Sequence, residues 1–335
     1  VTRRLIEFVS ALIGAVRGGL AMVSIGVSLF FAEISGSAVA DVAALGSIMI
    51  PEMKKRGYGA PFAAAVTSSS ASLAIIIPPS IPMILYAVSA NTSVEQLFVA
   101  GFIPGLMGAI GLMGVSWWFA RRYNLPVEEA FNWPRLRHAA IEAGPTFLLP
   151  IIILGGIFGG FVTATEAAGL AVLAAIGVGI WYREVDFRQL HRAMLEGGMQ
   201  TAVVMVLVAA SVLMGGFLTR AQIPQELAAQ MVAFTDSKYV ILLILNVFFL
   251  IIGFFLHSAA AIILVVPIVV PLIQQVGIDP VHFGLVVTLN LAIGQQTPPV
   301  ASVLITACSI ARANIWEVTR VNLPFIAVLV GVLLI

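Results

Sequence analysis

Small oxygen-bearing residues interrupt apolar stretches at four places in this chain of 335 residues. They are Ser35-Gly36-Ser37 with Asp41 one turn on, Ser68 to Ser72 (Ser68 and Ser70 above all), His257-Ser258, and Asn290 with Gly294-Gln295-Gln296-Thr297. Hydroxyls, neutral amides and carbonyls freed at helix breaks are hard ligands suited to an ion such as sodium. The N–H groups of half-helix N-termini suit an anion. Small residues let the backbone come close; on the alternative reading they serve only close helix packing. A carboxylate in an apolar arm is costly, so Asp41 reads first as functional: an ion ligand, or a brace for the tip through backbone N–H groups. Its alternative is a solvated side chain beside a wet cavity. Arg220 closes an apolar stretch and either snorkels to headgroups or pairs with a substrate carboxylate. His257 is a helix cap or a proton-sensitive group. Gln295, Gln296 and Thr297 are ion or anion ligands, or satisfy broken helix ends. Glu166, near Thr163 and Thr165, reads as a helix-start carboxylate.

Other chemistries find no support. His138, His191 and His282 have no metal-ligand spacing, and Cys308 is the only cysteine. There is no phosphate loop, dinucleotide fingerprint or nucleophile elbow, so neither an enzyme nor ATP-driven transport is expected, and nothing points to nucleic acid.

The elements that must hold these residues are membrane elements. Sixty per cent of the chain is apolar and 10% charged, against roughly 25% charged in a soluble domain. Residues 1–18 read as an interfacial amphipathic arm. A first repeat spans 19–119: a hairpin over 20–53 with arms too short to span comfortably, a helix over 60–90 broken at Pro78-Pro79-Ser80-Ile81-Pro82, and a helix over 97–119. Connecting helices occupy 120–238, with a mixed stretch from Gln222 to Asp236. The second repeat spans 239–335: a hairpin over 239–276, a broken helix over 281–310, and a short helix over 322–335. Broken backbone at membrane depth needs cover by protein or a polar cavity.

A shift of 220 residues superposes the two hairpin units without a gap. Pro51 meets Pro271, Gly57 meets Gly277, Pro78-Pro79 meets Pro298-Pro299, and Pro104 meets Pro324. Five crossings between the hairpins make the repeats inverted, the arrangement that places a transporter site near the bilayer midplane. Arg17, Lys54-Lys55-Arg56, Arg121, Arg122, Arg135, Arg137, Arg183, Arg188 and Arg192 fall on one side, which the positive-inside rule assigns to the cytoplasm. Both ends look cut. The apolar run from Pro324 to Ile335 reaches about 18 Å of a ~30 Å core, so further helices are expected.

The run from Ser35 to Ile48, followed by Ile50-Pro51 and Lys54-Lys55-Arg56-Gly57-Tyr58, resembles the large membrane subunit of tripartite ATP-independent periplasmic (TRAP) transporters. So do Ile77 to Pro82, Gly277 to Gly284 and Thr297-Pro298-Pro299. The resemblance covers essentially the whole chain. It implies an all-α, multi-pass protein of the bacterial inner membrane, with two re-entrant hairpins and two broken helices, working as an elevator. It implies sodium as coupling ion, a small Q-type membrane subunit, and a periplasmic binding protein delivering an organic acid such as a dicarboxylate or sialic acid. Ser35, Gly36, Ser37 and Asp41 then belong to one ion site, Ser80 by the first break joins Gln295 and Gln296 as a substrate-binding candidate, and Arg220 contacts the substrate carboxylate. Many members carry aspartate where this chain has His257. The second ion site then relies on backbone carbonyls and Thr297, or binds more weakly. Two other readings are a sodium- or proton-coupled dicarboxylate transporter or antiporter needing no binding protein, and a channel-like subunit.

Overall fold

The computed structural model describes residues 2–125, 131–235 and 237–335, and every regular element among them is helical. An amphipathic α1 (Thr2–Ile13) precedes a helix–tip–helix unit. Its first arm is α2 (Gly19–Ser35). Its second runs unbroken from α3 (Ala38–Asp41) through a π-helical turn (Val42–Gly46) into α4 (Ser47–Lys55). A broken helix follows: α5 (Ala60–Ala71), a 3₁₀ turn (Ser72–Ile75), an irregular segment, and α6 (Ile81–Ala90). Then come α7 (Val94–Arg122), α8 (Trp133–Phe158), α9 (Ala164–Trp181), α10 (Phe187–Arg220) and α11 (Ile223–Phe234). The expected end of that last stretch, Asp236, lies outside the described residues. A second helix–tip–helix unit consists of α12 (Lys238–Phe255) and α13 (Ser258–Gln275). A second broken helix, α14 (Pro280–Gly294) and α15 (Ser302–Ala311), leads to α16 (Ile315–Leu333).

Among the described residues, seven helices are long and apolar enough to cross a membrane: α7 to α10, α12, α13 and α16. The protein is a multi-pass helical membrane protein. α10 and α16 are longer than their apolar runs suggest. α10 takes in Arg188, His191 and Arg192, and α16 starts at Ile315 on an Asn314 cap and passes through Pro324. At 1.5 Å per residue the 19 residues of α16 reach about 28 Å, and the helix starts at Ile315 rather than at the 322 expected. α1 packs on its neighbours. Its apolar stripe (Leu5, Val9, Ala11) is buried against α2 and α8, and Phe8, Phe30 and Phe147 meet edge-on at 5.4–6.2 Å.

The 220-residue offset holds element by element. α3 begins at 38 and α13 at 258; α5 begins at 60 and α14 at 280. Gly57 and Gly277 both have positive φ, and Pro78–Pro79 and Pro298–Pro299 are both cis. The packing is exchanged between the repeats. α2 lies on α5 as α12 lies on α14. The second arm of each hairpin, however, packs on the last half-helix of the other repeat: α13 on α6, and α3 with its π turn on α15. α16 covers α5, while α7 covers α14. Neither repeat closes its own apolar faces, so the two form one body.

Helices α8 to α10 bury little. Ser211 is the only buried residue of α10 among those described, and it donates to the Ile263 carbonyl. Val212, Leu213 and Phe217 are exposed, an apolar surface made for lipid or protein. The small cluster of Met83, Phe98, Ile157 and Ala167 joins α6 and α7 to α8 and α9. Glu166 and Thr163 form a reciprocal capping box at the start of α9. Basic loops gather at one end. Glu7 pairs with Arg135 at 2.9 Å and Arg4 with Glu184 at 3.3 Å. Gly18 packs on Ala120, and Gly57, Tyr123 and Val321 line one cavity.

Candidate functional site

The two hairpin tips meet. Gly36 and Ser37 of the first, His257 and Ser258 of the second, Ile75 and Ile81 beside the first break, and Gln295 at the second line a single cavity of about 30 Å³. One water-sized particle needs roughly 10–15 Å³ on that measure. The cavity therefore has room for an ion or a water or two, and not for an organic acid.

Each tip is docked on the break of its own repeat through the backbone. Ile81 N–H donates to the Gly36 carbonyl at 3.4 Å, and Val300 N–H donates to the Phe254 carbonyl at 3.2 Å. Gly36 has φ 60°, and a Cβ there would stand 2.8 Å from the Pro79 carbonyl oxygen. Both the left-handed turn and the close approach to the break require glycine. Behind the tip, Asp41 is fully buried. Ser35 Oγ donates to its Oδ1, the Ser37 N–H donates to Ser35 Oγ at 3.2 Å, and Asp41 Oδ2 has no partner. No basic side chain pairs with this carboxylate among the described residues. A lone buried carboxylate with a bare oxygen needs a cation or a proton to offset its desolvation. A hard cation fits this donor set of carboxylate and hydroxyl oxygens.

The breaks are held by side chains that sequence alone could not orient. Ser80 is a cap: its hydroxyl donates to the Ile75 carbonyl at 2.7 Å and accepts from Met83 N–H, bridging the break. Ser80→Ala should cost about 1 kcal/mol through the lost cap, read as a lower midpoint of thermal unfolding; an unchanged midpoint would remove Ser80 from this role. Ser70 accepts from Ser28 Oγ at 2.9 Å, and Asn290 Nδ2 donates to Asn246 Oδ1, so a polar pair pins each first arm to its broken helix. Ser68 Oγ and Asn290 Oδ1 are buried without a partner. His257 caps α13, its Nδ1 accepting from Ala259 N–H at 3.4 Å. Thr297 Oγ1 donates to the Ile293 carbonyl, and Ser302 Oγ to Gln295 Oε1.

Of the candidates, Gly36, Ser37, His257, Ser258 and Gln295 line the cavity; Ser35, Asp41, Ser68, Ser70, Ser80, Asn290, Gly294, Gln296, Thr297 and Arg220 do not. Gln296 is buried beside it but turned away, its amide bonded to Ser69, Ser72 and Asn322. Gly294 lies against Gly253 of α12. Arg220 is exposed at the end of α10 and lines neither the tip cavity nor its neighbour. That neighbour is a cavity of about 200 Å³, between Ser35, Gly36, Pro79 and Ile84 on one side and Ile153, Ile157, Ala164 and Ala168 of α8 and α9 on the other. Glu33, Asn246 and Asn322 escaped the sequence reading. Glu33 is the only charged residue of α2, and Asn246 and Asn322 are the only amides of α12 and α16; the cost of putting such groups in apolar helices was their only signal.

Comparison with known proteins gives one family. Residues 1–335 match the family described as tripartite ATP-independent periplasmic transporter, DctM component. The chain is 40% identical to the isethionate TRAP transporter permease protein DctMQ of Oleidesulfovibrio alaskensis, over 100% of this chain and 53% of that protein. It is 37% identical to the C4-dicarboxylate TRAP transporter large permease protein DctM of Pseudomonas aeruginosa, over 100% of this chain and 79% of that one. Identity is 36% with the sialic acid TRAP transporter large permease protein SiaM of Vibrio cholerae, over 99% and 78%. The chain thus spans about half the length of the first of these relatives.

Proposed function

We propose, from the premise that this chain belongs to the DctM component family of tripartite ATP-independent periplasmic transporters, that it carries an organic acid across the bacterial inner membrane on a sodium gradient. The observation that carries the reading is the convergence of both tips and both breaks on one ion-sized cavity, with the bare Asp41 carboxylate behind the first tip. Sodium is cargo in this scheme. The tip hydroxyls, break carbonyls and Asp41 are its ligands or their supports. In this reading the hairpins are re-entrant, the repeats are inverted, and the paired repeats move as one body against α8 to α10. The small apolar contact of α6 and α7 with α8 and α9, with a cavity of about 200 Å³ in it, supports sliding there, while α10 packs on α13.

The substrate is a carboxylate or similar acid, since three relatives are named for isethionate, C4-dicarboxylates and sialic acid. A small membrane subunit and a periplasmic binding protein complete the machine; in the DctMQ relative the M and Q parts share one chain, as its name indicates. Proteoliposomes carrying the permease and small subunit should take up acid only with loaded binding protein outside and sodium higher outside. Full-rate uptake without the binding protein would instead support a stand-alone carrier.

Arg220 is the proposed carboxylate clamp, brought to the tips by that movement. Arg220→Ala should raise the half-saturating acid concentration about tenfold or more, the value of a charged hydrogen bond, with sodium dependence kept. Unaltered affinity would return Arg220 to a headgroup anchor.

A further inference from the structure

Four fully buried side chains close a ring between the two breaks. Ser69 Oγ lies 2.6 Å from Asn322 Oδ1, and Asn322 Nδ2 donates to Gln296 Oε1 at 3.3 Å. Gln296 Nε2 donates to Ser72 Oγ at 2.8 Å, and Ser72 Oγ donates to the Ser69 carbonyl at 2.7 Å. The four bonds run in one direction and the chain returns to Ser69, while Gln296 Nε2 also donates to the Ala292 carbonyl at 3.2 Å. Ser69 Oγ also lies 2.7 Å from Gln296 Oε1. A hydroxyl has one proton, so it serves Asn322 or Gln296 but not both. The ring therefore has two discrete arrangements.

The ring's place in the fold gives those arrangements consequence. Ser69 and Ser72 run into the 3₁₀ turn that ends at the first break. Gln296 sits in the second break, next to Gln295, which lines the tip cavity. Asn322 comes from α16, which covers α5. Gln296 is bonded to Ser69 and Ser72 of the other repeat, so a displacement of its neighbour Gln295 would be resisted by, or passed to, those bonds. Hydrogen-bond rings of this kind act cooperatively in a low-dielectric interior.

The repeat supplies an internal control. At the 220-residue offset the counterparts of Ser69, Ser72, Gln296 and Asn322 are Leu289, Ala292, Ile76 and Phe102, all apolar. Leu289, Ala292 and Ile76 are buried. The fold thus closes the equivalent place without any polar group, and polarity on one side only calls for another reason. We infer that Ser69, Ser72, Gln296 and Asn322 are positioning residues that couple ion occupancy at one break to the geometry of the other. This inference rests on the sodium reading above.

The test uses the full-length protein and two readouts: uptake against sodium concentration, and the thermal unfolding midpoint of purified protein against sodium, with choline holding ionic strength. Ser72→Ala takes the residue of the other repeat, and Asn322→Leu removes both the acceptor and the donor of the amide while keeping a side chain of the same branching. Leu329→Ala, buried on the same helix as Asn322, reports packing damage alone. The wild type should show a Hill coefficient for sodium above one. Both ring variants should bring it toward one and raise half-saturating sodium by about tenfold, the usual size of a coupling factor, while Leu329→Ala lowers the midpoint without changing cooperativity. Should Asn322→Leu fail to fold, Ser72→Ala carries the test. Unchanged cooperativity in the ring variants, or an equal loss in Leu329→Ala, overturns the inference. A wild type indifferent to sodium overturns the proposed function, and the coupling role with it.

Discussion

Asp41→Asn should raise the sodium concentration for half-maximal uptake at least about tenfold while the protein still inserts and folds. Asparagine keeps Oδ1 as an acceptor for Ser35 Oγ, so the left-handed Gly36 turn and its docking on the break retain their support. What disappears is the charge. A unit pair at 4 Å contributes about 4 kcal/mol at an effective dielectric of 20, and a third of that is already a tenfold change in affinity. Asp41 is buried with one bare oxygen and no basic partner, so no existing ion pair compensates the loss. The measurement is a sodium titration of uptake beside a thermal-unfolding scan. A sodium curve superposable on wild type would take Asp41 out of the ion site.

Gly294→Ala should be among the most damaging single-methyl changes in the protein. A Cβ there would stand 2.6 Å from the Cα and carbonyl carbon of Gly253, which are backbone atoms of α12 and cannot rotate away. α12 must then move off α14, which also strains the Phe254–Val300 bond docking the second tip. Overpacking of this kind costs about 1–3 kcal/mol. Gly331→Ala, with nothing within 4 Å of the added carbon, is the matched control. Thermal unfolding of the two variants side by side reads the difference; equal midpoints would show that α12 and α14 have slack at this contact.

What the chain revealed before folding was periodic or punctuated. The 220-residue offset rests on prolines and glycines, whose backbone demands are local, and the paired elements start within a residue or two of each other. The tips were legible because Ser35-Gly36-Ser37 and His257-Ser258 interrupt apolar arms. Helix lengths were less so: charged residues at the ends of α10 and α16 continue the helix, and hydropathy alone trims them away. Side-chain direction at a break was not legible at all. Gln295 and Gln296 are neighbours of the same type, yet one lines the cavity and the other faces the opposite repeat. Only the exchanged packing of the repeats decides that. Asn322 could have been flagged as a lone amide in an apolar helix, but its partners lie 26 and 253 residues away.

The central claim is that sodium and an organic acid move together through the site between the tips. The most direct measurement counts radioactive sodium and radioactive acid entering the same proteoliposomes, with permease, small subunit and loaded binding protein present. The account predicts a fixed ratio of sodium to acid, and loss of acid accumulation when the sodium gradient is collapsed with its sum of ions held constant. Acid accumulating at an unchanged rate with no sodium entry would contradict it.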